Sequence, residues 1–158
     1  MATIKRTAAR YGQFGGFSPY GNMTVLTYAL ATNAIGAVID SDSVAAIAAG
    51  DVIDLGELPQ GMRLDDAQII VSTGMSASII GKLGFKYSDG TDHSDVPEDD
   101  AYFVNAGDLA TVGRVRAAGS KLLTLPKSAR LILTIAGAAN AKVSDLNVVV
   151  TGELKGPR

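Results

Sequence analysis

Asp145-Leu146-Asn147-Val148-Val149-Val150-Thr151 decides the fold class. Leu146, Val148 and Val150 fall on one side of an extended chain, while Asp145, Asn147 and Thr151 fall on the other. That period-two alternation belongs to a half-buried strand. Working upstream, Leu131, Leu133 and Ile135 alternate with Arg130, Ile132 and Thr134, and Ile79, Leu83, Phe85 and Tyr87 oppose Ile80, Lys82 and Lys86. Shorter alternating runs cover residues 25–31, 52–55, 64–71 and 121–125. Reversing chemistry separates them: Leu58-Pro59-Gln60-Gly61, Ser72-Thr73-Gly74, Ser88-Asp89-Gly90 and Ala136-Gly137-Ala138 each supply Pro, Gly or Asx residues. Seven or more short strands at about ten-residue spacing predict an all-β sandwich or barrel. Two short segments are candidate helices, with strand or loop as the alternative. Residues 43–49 have Ser41, Asp42 or Ser43 as caps and Gly50 as a terminator, and residues 99–105 have acids at their start.

Composition narrows the chemistry before any motif is considered. The chain has 158 residues, 47% hydrophobic and 19% charged, which predicts one domain. At this length folding buries roughly 70% of the surface exposed by the unfolded chain, so the core needs neither disulfide nor metal. With no cysteine, thiol catalysis, thiolate metal sites and redox switching are excluded. With one histidine, His93, a Ser-His-Asp device would have to run through that residue, and most zinc sites lack their imidazoles. Gly12-Gln13-Phe14-Gly15-Gly16 and Gly81-Lys82-Leu83-Gly84 lack the phosphate-binding patterns, and no nucleophile elbow is present. The expectation is a protein that is not an enzyme and carries no cofactor or metal.

Charge is segregated. Residues 1–22 hold Lys5, Arg6 and Arg10 with no acid, residues 86–100 hold Lys86 against six acids, and the remainder is neutral within a net charge of −2. Binding to duplex nucleic acid needs a broad basic face, which this body lacks, so no direct nucleic-acid contact is expected. The basic start has no apolar stretch behind it, so no secretory leader is expected. Residues 11–39 carry no charge but are interrupted by glycines, Pro19, Gln13, Asn22 and Asn33, so they cannot supply the roughly 20 continuous apolar residues of a membrane span.

Four of the nine aromatics, Tyr11, Phe14, Phe17 and Tyr20, lie within ten residues that also hold Gly12, Gly15, Gly16 and Pro19. Glycine at this density disfavours order, yet large rings are costly to leave in water. Three readings follow. The arm covers an open end of its own sandwich, or it lies on another subunit with its rings as anchors and Lys5, Arg6 and Arg10 paired to acids. The third is stacking on single-stranded nucleic acid, for which the basic companions are few. The acidic segment gathers Asp89, Asp92, Asp95, Glu98, Asp99 and Asp100 around His93. A solvated inter-strand loop, a docking surface for basic groups and a calcium site all draw on such residues, although the spacing is not that of an EF-hand. Asp92 with Asp95 or Glu98 would be the acid/base pair of a hydrolase, but nothing fixes their separation.

The segment from Gly50 to Ala67, reading Asp51-Val52-Ile53-Asp54-Leu55-Gly56-Glu57-Leu58-Pro59-Gln60-Gly61-Met62-Arg63-Leu64-Asp65-Asp66, resembles the small jelly-roll capsid cement, or decoration, proteins of tailed bacteriophages. Similar features follow in order: Ile80-Gly81-Lys82-Leu83-Gly84-Phe85, then Ala101-Tyr102-Phe103-Val104-Asn105-Ala106-Gly107-Asp108-Leu109, Arg130-Leu131-Ile132-Leu133-Thr134-Ile135-Ala136-Gly137, and Leu146-Asn147-Val148-Val149-Val150. The resemblance covers residues 23–154 and implies a jelly-roll-like sandwich. Residues 1–22 would then be an extended N-terminal arm and residues 155–158 a tail. It further implies a structural virion protein on the capsid exterior, made in the host cytoplasm, that bridges major capsid protein subunits. Closed symmetry makes a dimer or trimer the default assembly. The alternative is a tail or baseplate sandwich that binds carbohydrate or a partner protein, drawing on Tyr28, Phe85, Tyr87, Tyr102 and Phe103.

Overall fold

A computed structural model describes residues 1–5, 23–119 and 121–154. Among these residues there are ten strands and no helix: β1 (Thr3–Lys5), β2 (Met23–Thr32), β3 (Val52–Leu58), β4 (Met62–Thr73), β5 (Ile80–Tyr87), β6 (Asp99–Asp108), β7 (Gly113–Arg116), β8 (Leu123–Thr124), β9 (Ala129–Ala136) and β10 (Ser144–Leu154). They form two sheets, one ordered β1-β3-β9-β5-β6 and the other β2-β10-β4-β7, with β8 paired to β4. Setting aside β1 and β8, the chain contributes β2, β4, β7 and β10 to one sheet and β3, β5, β6 and β9 to the other. This interleaving is the double-sheet jelly roll expected from the sequence.

The alternation that announced the strands is the alternation that fills the sandwich. In β10, Leu146, Val148 and Val150 are fully buried, as are Leu131, Leu133 and Ile135 in β9 and Leu83, Phe85 and Tyr87 in β5. These side chains meet Leu26 and Leu30 of β2 and Leu64, Ala67, Ile69 and Val71 of β4 in one continuous cluster. β10 is the central strand of its sheet, pairing antiparallel with β2 on one side and β4 on the other. Burying each Leu or Ile contributes about 1.5–3 kcal/mol, so a cluster of this size holds the fold without cross-links.

Three sequence expectations change. Residues 99–105 are not helical. They begin β6, which pairs antiparallel with β5 and buries Phe103 and Val104. Residues 43–49 form no helix either, because serine hydroxyls there bond locally and Ile47 is drawn into the core. The Ile47 amide donates to Gly36 O and its carbonyl accepts from the Asn140 amide, which fixes this segment as a coiled loop. At 72–74 the chain does not reverse. β4 runs on to Thr73, and Gly74 is present for a close approach, since a Cβ there would sit 1.9 Å from Ala110 O. Reversal comes later, around Ser78, whose φ is +66°. The other three turns lie where expected, with Gly61, Gly90 and Gly137 at positive φ.

Candidate functional site

The N-terminal candidate divides into a described root and a remainder. Ala2 donates its amide to Asp51 Oδ1 and accepts from the Val52 amide, and β1 then runs parallel to β3 with Lys5 in register with Asp54. Ile4 is buried in the core cluster. The first residues of the expected arm are therefore an edge strand of the sandwich. Arg6, Arg10, Tyr11, Phe14, Phe17 and Tyr20 lie outside the described residues, as do residues 155–158.

The acidic segment connects β5 to β6 and is tied together by its own hydrogen bonds. Lys127, from the neighbouring β8–β9 connection, places its ammonium 2.8 Å from Asp89 Oδ2, donates to Thr91 O, and lies 4.6 Å from the centre of the Tyr87 ring. That ammonium and the Thr91 amide hold the Asp89 carboxyl below the usual aspartate range. Tyr87 is buried, and its hydroxyl donates to Val96 O at 2.6 Å. Burial, reinforced by Asp92, Glu98 and Asp89, pushes the Tyr87 phenol above its ordinary range. Asp92 Oδ1 accepts from the His93 and Glu98 amides, while Glu98 Oε1 accepts from the Tyr87 amide. Asp95 accepts from the Ser94 hydroxyl at 3.4 Å, and its amide donates to His93 Nδ1. Asp99 Oδ1 accepts from the Ala101 amide, and Asp100 pairs with Lys82 at 3.3 Å.

The six carboxylates are thus distributed among backbone amides, two lysines and the Ser94 hydroxyl. Among the described residues no three or more acidic or histidine side chains converge as a metal-binding group would. Asp92 Oδ1 and Glu98 Oε1 are engaged in holding the loop.

At the opposite end of the sandwich four connections meet: residues 33–51, 74–79, 109–112 and 137–143. Asn140, fully buried, ties together residues 33–51, 74–79 and 137–143, and residues 109–112 join through the Met75 amide, which donates to Leu109 O. Asn140 Oδ1 accepts from the Ser76 amide and hydroxyl, and its Nδ2 donates to Thr32 Oγ1 at 3.1 Å and Lys142 O at 2.9 Å. Thr32 Oγ1 also contacts Ser144 Oγ at 2.7 Å. Asp51 is buried too, accepting the Ala48 and Ala2 amides, one on each oxygen. Gly36 packs so closely on Asn140 O that a Cβ would lie 2.2 Å from it. Sequence reasoning did not single out Asn140, because an asparagine between alanines carries no pattern; only its place between two strong strands hinted at a buried role.

Aromatic side chains of the body face inward. Phe85 and Phe103 are buried, the Tyr28 hydroxyl donates to Glu57 O at 2.6 Å, and the Tyr102 hydroxyl donates to Lys121 O at 2.6 Å. Tyr102 packs edge-on against Phe85 and Phe103. It thereby closes the side of the sandwich between β6 and the β7–β8 connection.

No family model and no curated protein sequence matches the chain. Chains of three phage capsids share its fold. One belongs to the capsid of Ralstonia phage GP4, with TM-score 0.65 and 17% identity over 99% of this chain and 99% of that one. A second, from the capsid asymmetric unit of cyanophage Pam1, has TM-score 0.57 and 17% identity over 95% of this chain and 94% of that one. A third, from the acid-stable capsid of the Helicobacter pylori bacteriophage KHP30, has TM-score 0.51 and 15% identity over 85% and 90% of the two chains. The correspondence runs through nearly the whole length in the first two cases, so it concerns the entire jelly roll.

Proposed function

We propose that this protein is a structural component of a phage virion, which binds the outer surface of the capsid and bridges neighbouring major capsid protein subunits. The observation that carries the reading is the end-to-end fold correspondence with a chain of the GP4 phage capsid, at 99% coverage of both chains. The organisation of the described residues supports it: Asp92 Oδ1 and Glu98 Oε1 accept backbone amides and Asp89 pairs with Lys127, which is the arrangement of a loop that holds its shape. Bridging works by multiplication. Weak contacts repeated on an ordered lattice raise effective affinity by orders of magnitude over a single contact. In this reading the aromatic arm reaches a neighbouring subunit, the acidic loop docks basic groups, and the protein assembles with itself as a dimer or trimer. The sugar-binding alternative has no comparable support, since each described aromatic is buried or commits its hydroxyl to a backbone carbonyl.

The test is reconstitution. Shells assembled without the protein are mixed with it, pelleted, and heated. Saturable co-pelleting at a fixed ratio to the major capsid protein, with a higher shell disruption temperature, is expected. Shells that pellet without it, or take it up with no gain in heat resistance, would refute the reading.

A further inference from the structure

The two ends of the sandwich differ in chemistry. Ten large apolar side chains are conspicuously exposed among the described residues, and six of them, Ile35, Ile39, Val44, Ile80, Val112 and Val143, sit on the end that Asn140 ties together. Val44 is 88% exposed and Val112 66%, so these are protruding side chains and not the margins of the core. Of the connections at this end, residues 74–79 and 109–112 contain no charged side chain and residues 137–143 contain only Lys142, while residues 33–51 carry Asp40, Asp42 and Asp51. Exposed acids, Asp40, Asp42 and Asp108, flank the apolar group. The far end carries more charge, with Asp89, Asp92, Asp95 and Lys127 on its connections beside a single exposed large aliphatic there, Leu122. Interface centres are depleted in charge and rimmed by polar groups, and large apolar exposure gathered on one face of a soluble chain marks a contact surface.

The apolar end is also built to hold its shape. Four loops without regular structure would ordinarily lose entropy on binding. Here buried Asn140, Thr32 and Ser144 join residues 33–51, 74–79 and 137–143 by hydrogen bonds, and the Met75 amide holds residues 109–112 through Leu109 O, which lowers the ordering cost of association.

We propose that this apolar end is the face that seats on the shell, against a protein surface apolar at its centre and basic at its rim. The inference rests on the shell-binding reading above. Charge complementarity selects the partner. A second copy docked end to end would bring Asp40 and Asp108 against their own counterparts with only Lys142 to offset them, whereas a basic rim pairs with both.

The experiment compares wild type, Val44→Asp, Ile35→Asp and, as a control at the far end, Leu122→Asp, in the shell-pelleting assay with melting temperature and solution mass recorded. Val44→Asp and Ile35→Asp should each weaken shell binding tenfold or more while melting within about 2 °C of wild type. Leu122→Asp should bind within twofold of wild type. If an aspartate variant fails to fold, Val44→Ser serves in its place, with at least a threefold loss expected. Wild type that binds shells alongside an equally binding Val44→Asp would overturn this inference and leave the shell reading standing. Wild type that does not bind would remove both. A halved solution mass in Val44→Asp would assign the face to a second copy, and a fall in melting temperature with unchanged binding would assign it to the chain's own residues 6–22; either result overturns the proposal.

Discussion

Replacing Asn140 by alanine removes four hydrogen bonds from the apolar end at once. The losses are not equivalent. Lys142 O keeps its bond from Thr32 Oγ1 at 2.9 Å, and Ser76 Oγ keeps the Ala141 amide at 2.9 Å. The Ser76 amide has no replacement partner within the network. An amide stranded in this way costs about 1–3 kcal/mol, and the remaining bonds and the small cavity add to it. We expect a total near 3 kcal/mol, or a fall of about 6–12 °C in melting temperature for a chain of this length. Equilibrium denaturation in urea measures it, with an unchanged slope showing that the native and unfolded states are otherwise the same. Asn140→Asp refines the test: it can still accept from Ser76 but faces Thr32 Oγ1 and Lys142 O with oxygen in place of a donor. Burial raises the carboxyl pKa in the folded state above its unfolded value, so this variant should lose further stability as pH rises through and above the carboxylate range. The alanine variant should show no such trend. A loss below 1 kcal/mol in Asn140→Ala would refute the claim that this side chain joins residues 74–79 and 137–143 to the end of β2.

Other consequences are equally direct. Ile4→Ala should cost about 2–4 kcal/mol by denaturation, because Ile4 is only 2% exposed; a loss under 0.5 kcal/mol would mean β1 does not contribute to the core. Gly74→Ala should cost about 1–3 kcal/mol, since its Cβ meets the Ala110 carbonyl at 1.9 Å and backbone must yield. The Asp89 carboxyl, held low by Lys127 and the Thr91 amide, contributes order that is present above the ordinary aspartate range and is lost as pH falls through its folded-state pKa. The protection factor of the Thr91 amide, its exchange rate relative to the intrinsic rate at the same pH, should therefore fall on acidification in wild type, and this acid-dependent step should vanish in Asp89→Asn.

Strands whose two faces meet different surroundings were legible in the sequence. β10, β9 and β5 each bury one face against the opposite sheet, so alternation survives in Leu146, Val148 and Val150 and in Leu131, Leu133 and Ile135. β6 was obscured because it departs from regular pairing: Leu83 pairs with Val104 but Phe85 with Asp99, which leaves extra residues on β6 and breaks the period. Its opening acids then resembled a helix start. β7 exposes almost all of its four residues, so hydrophobicity left no trace of it. β1 is one buried isoleucine in a short polar context and depends wholly on tertiary pairing with β3.

The candidate site was legible in composition and hidden in its connections. The acidic segment could be read directly, whereas its organising cation, Lys127, is 38 residues from Asp89 and is brought there only by the fold. The apolar end could not be read because Ile35, Val44, Val112 and Val143 are scattered over three loops that only the closed jelly roll brings to one end. Exposed and buried isoleucines look alike in a sequence; Ile47, fully buried, lies within a dozen residues of Ile35, which is 60% exposed.

Image reconstruction of shells saturated with the protein tests the central claim most directly. The account predicts density of one jelly roll per copy on the outer surface, astride contacts between neighbouring major capsid protein subunits, with the Asn140 end toward the shell. Density confined to the tail or to the shell interior, or shells that carry none at saturating concentration, would contradict it.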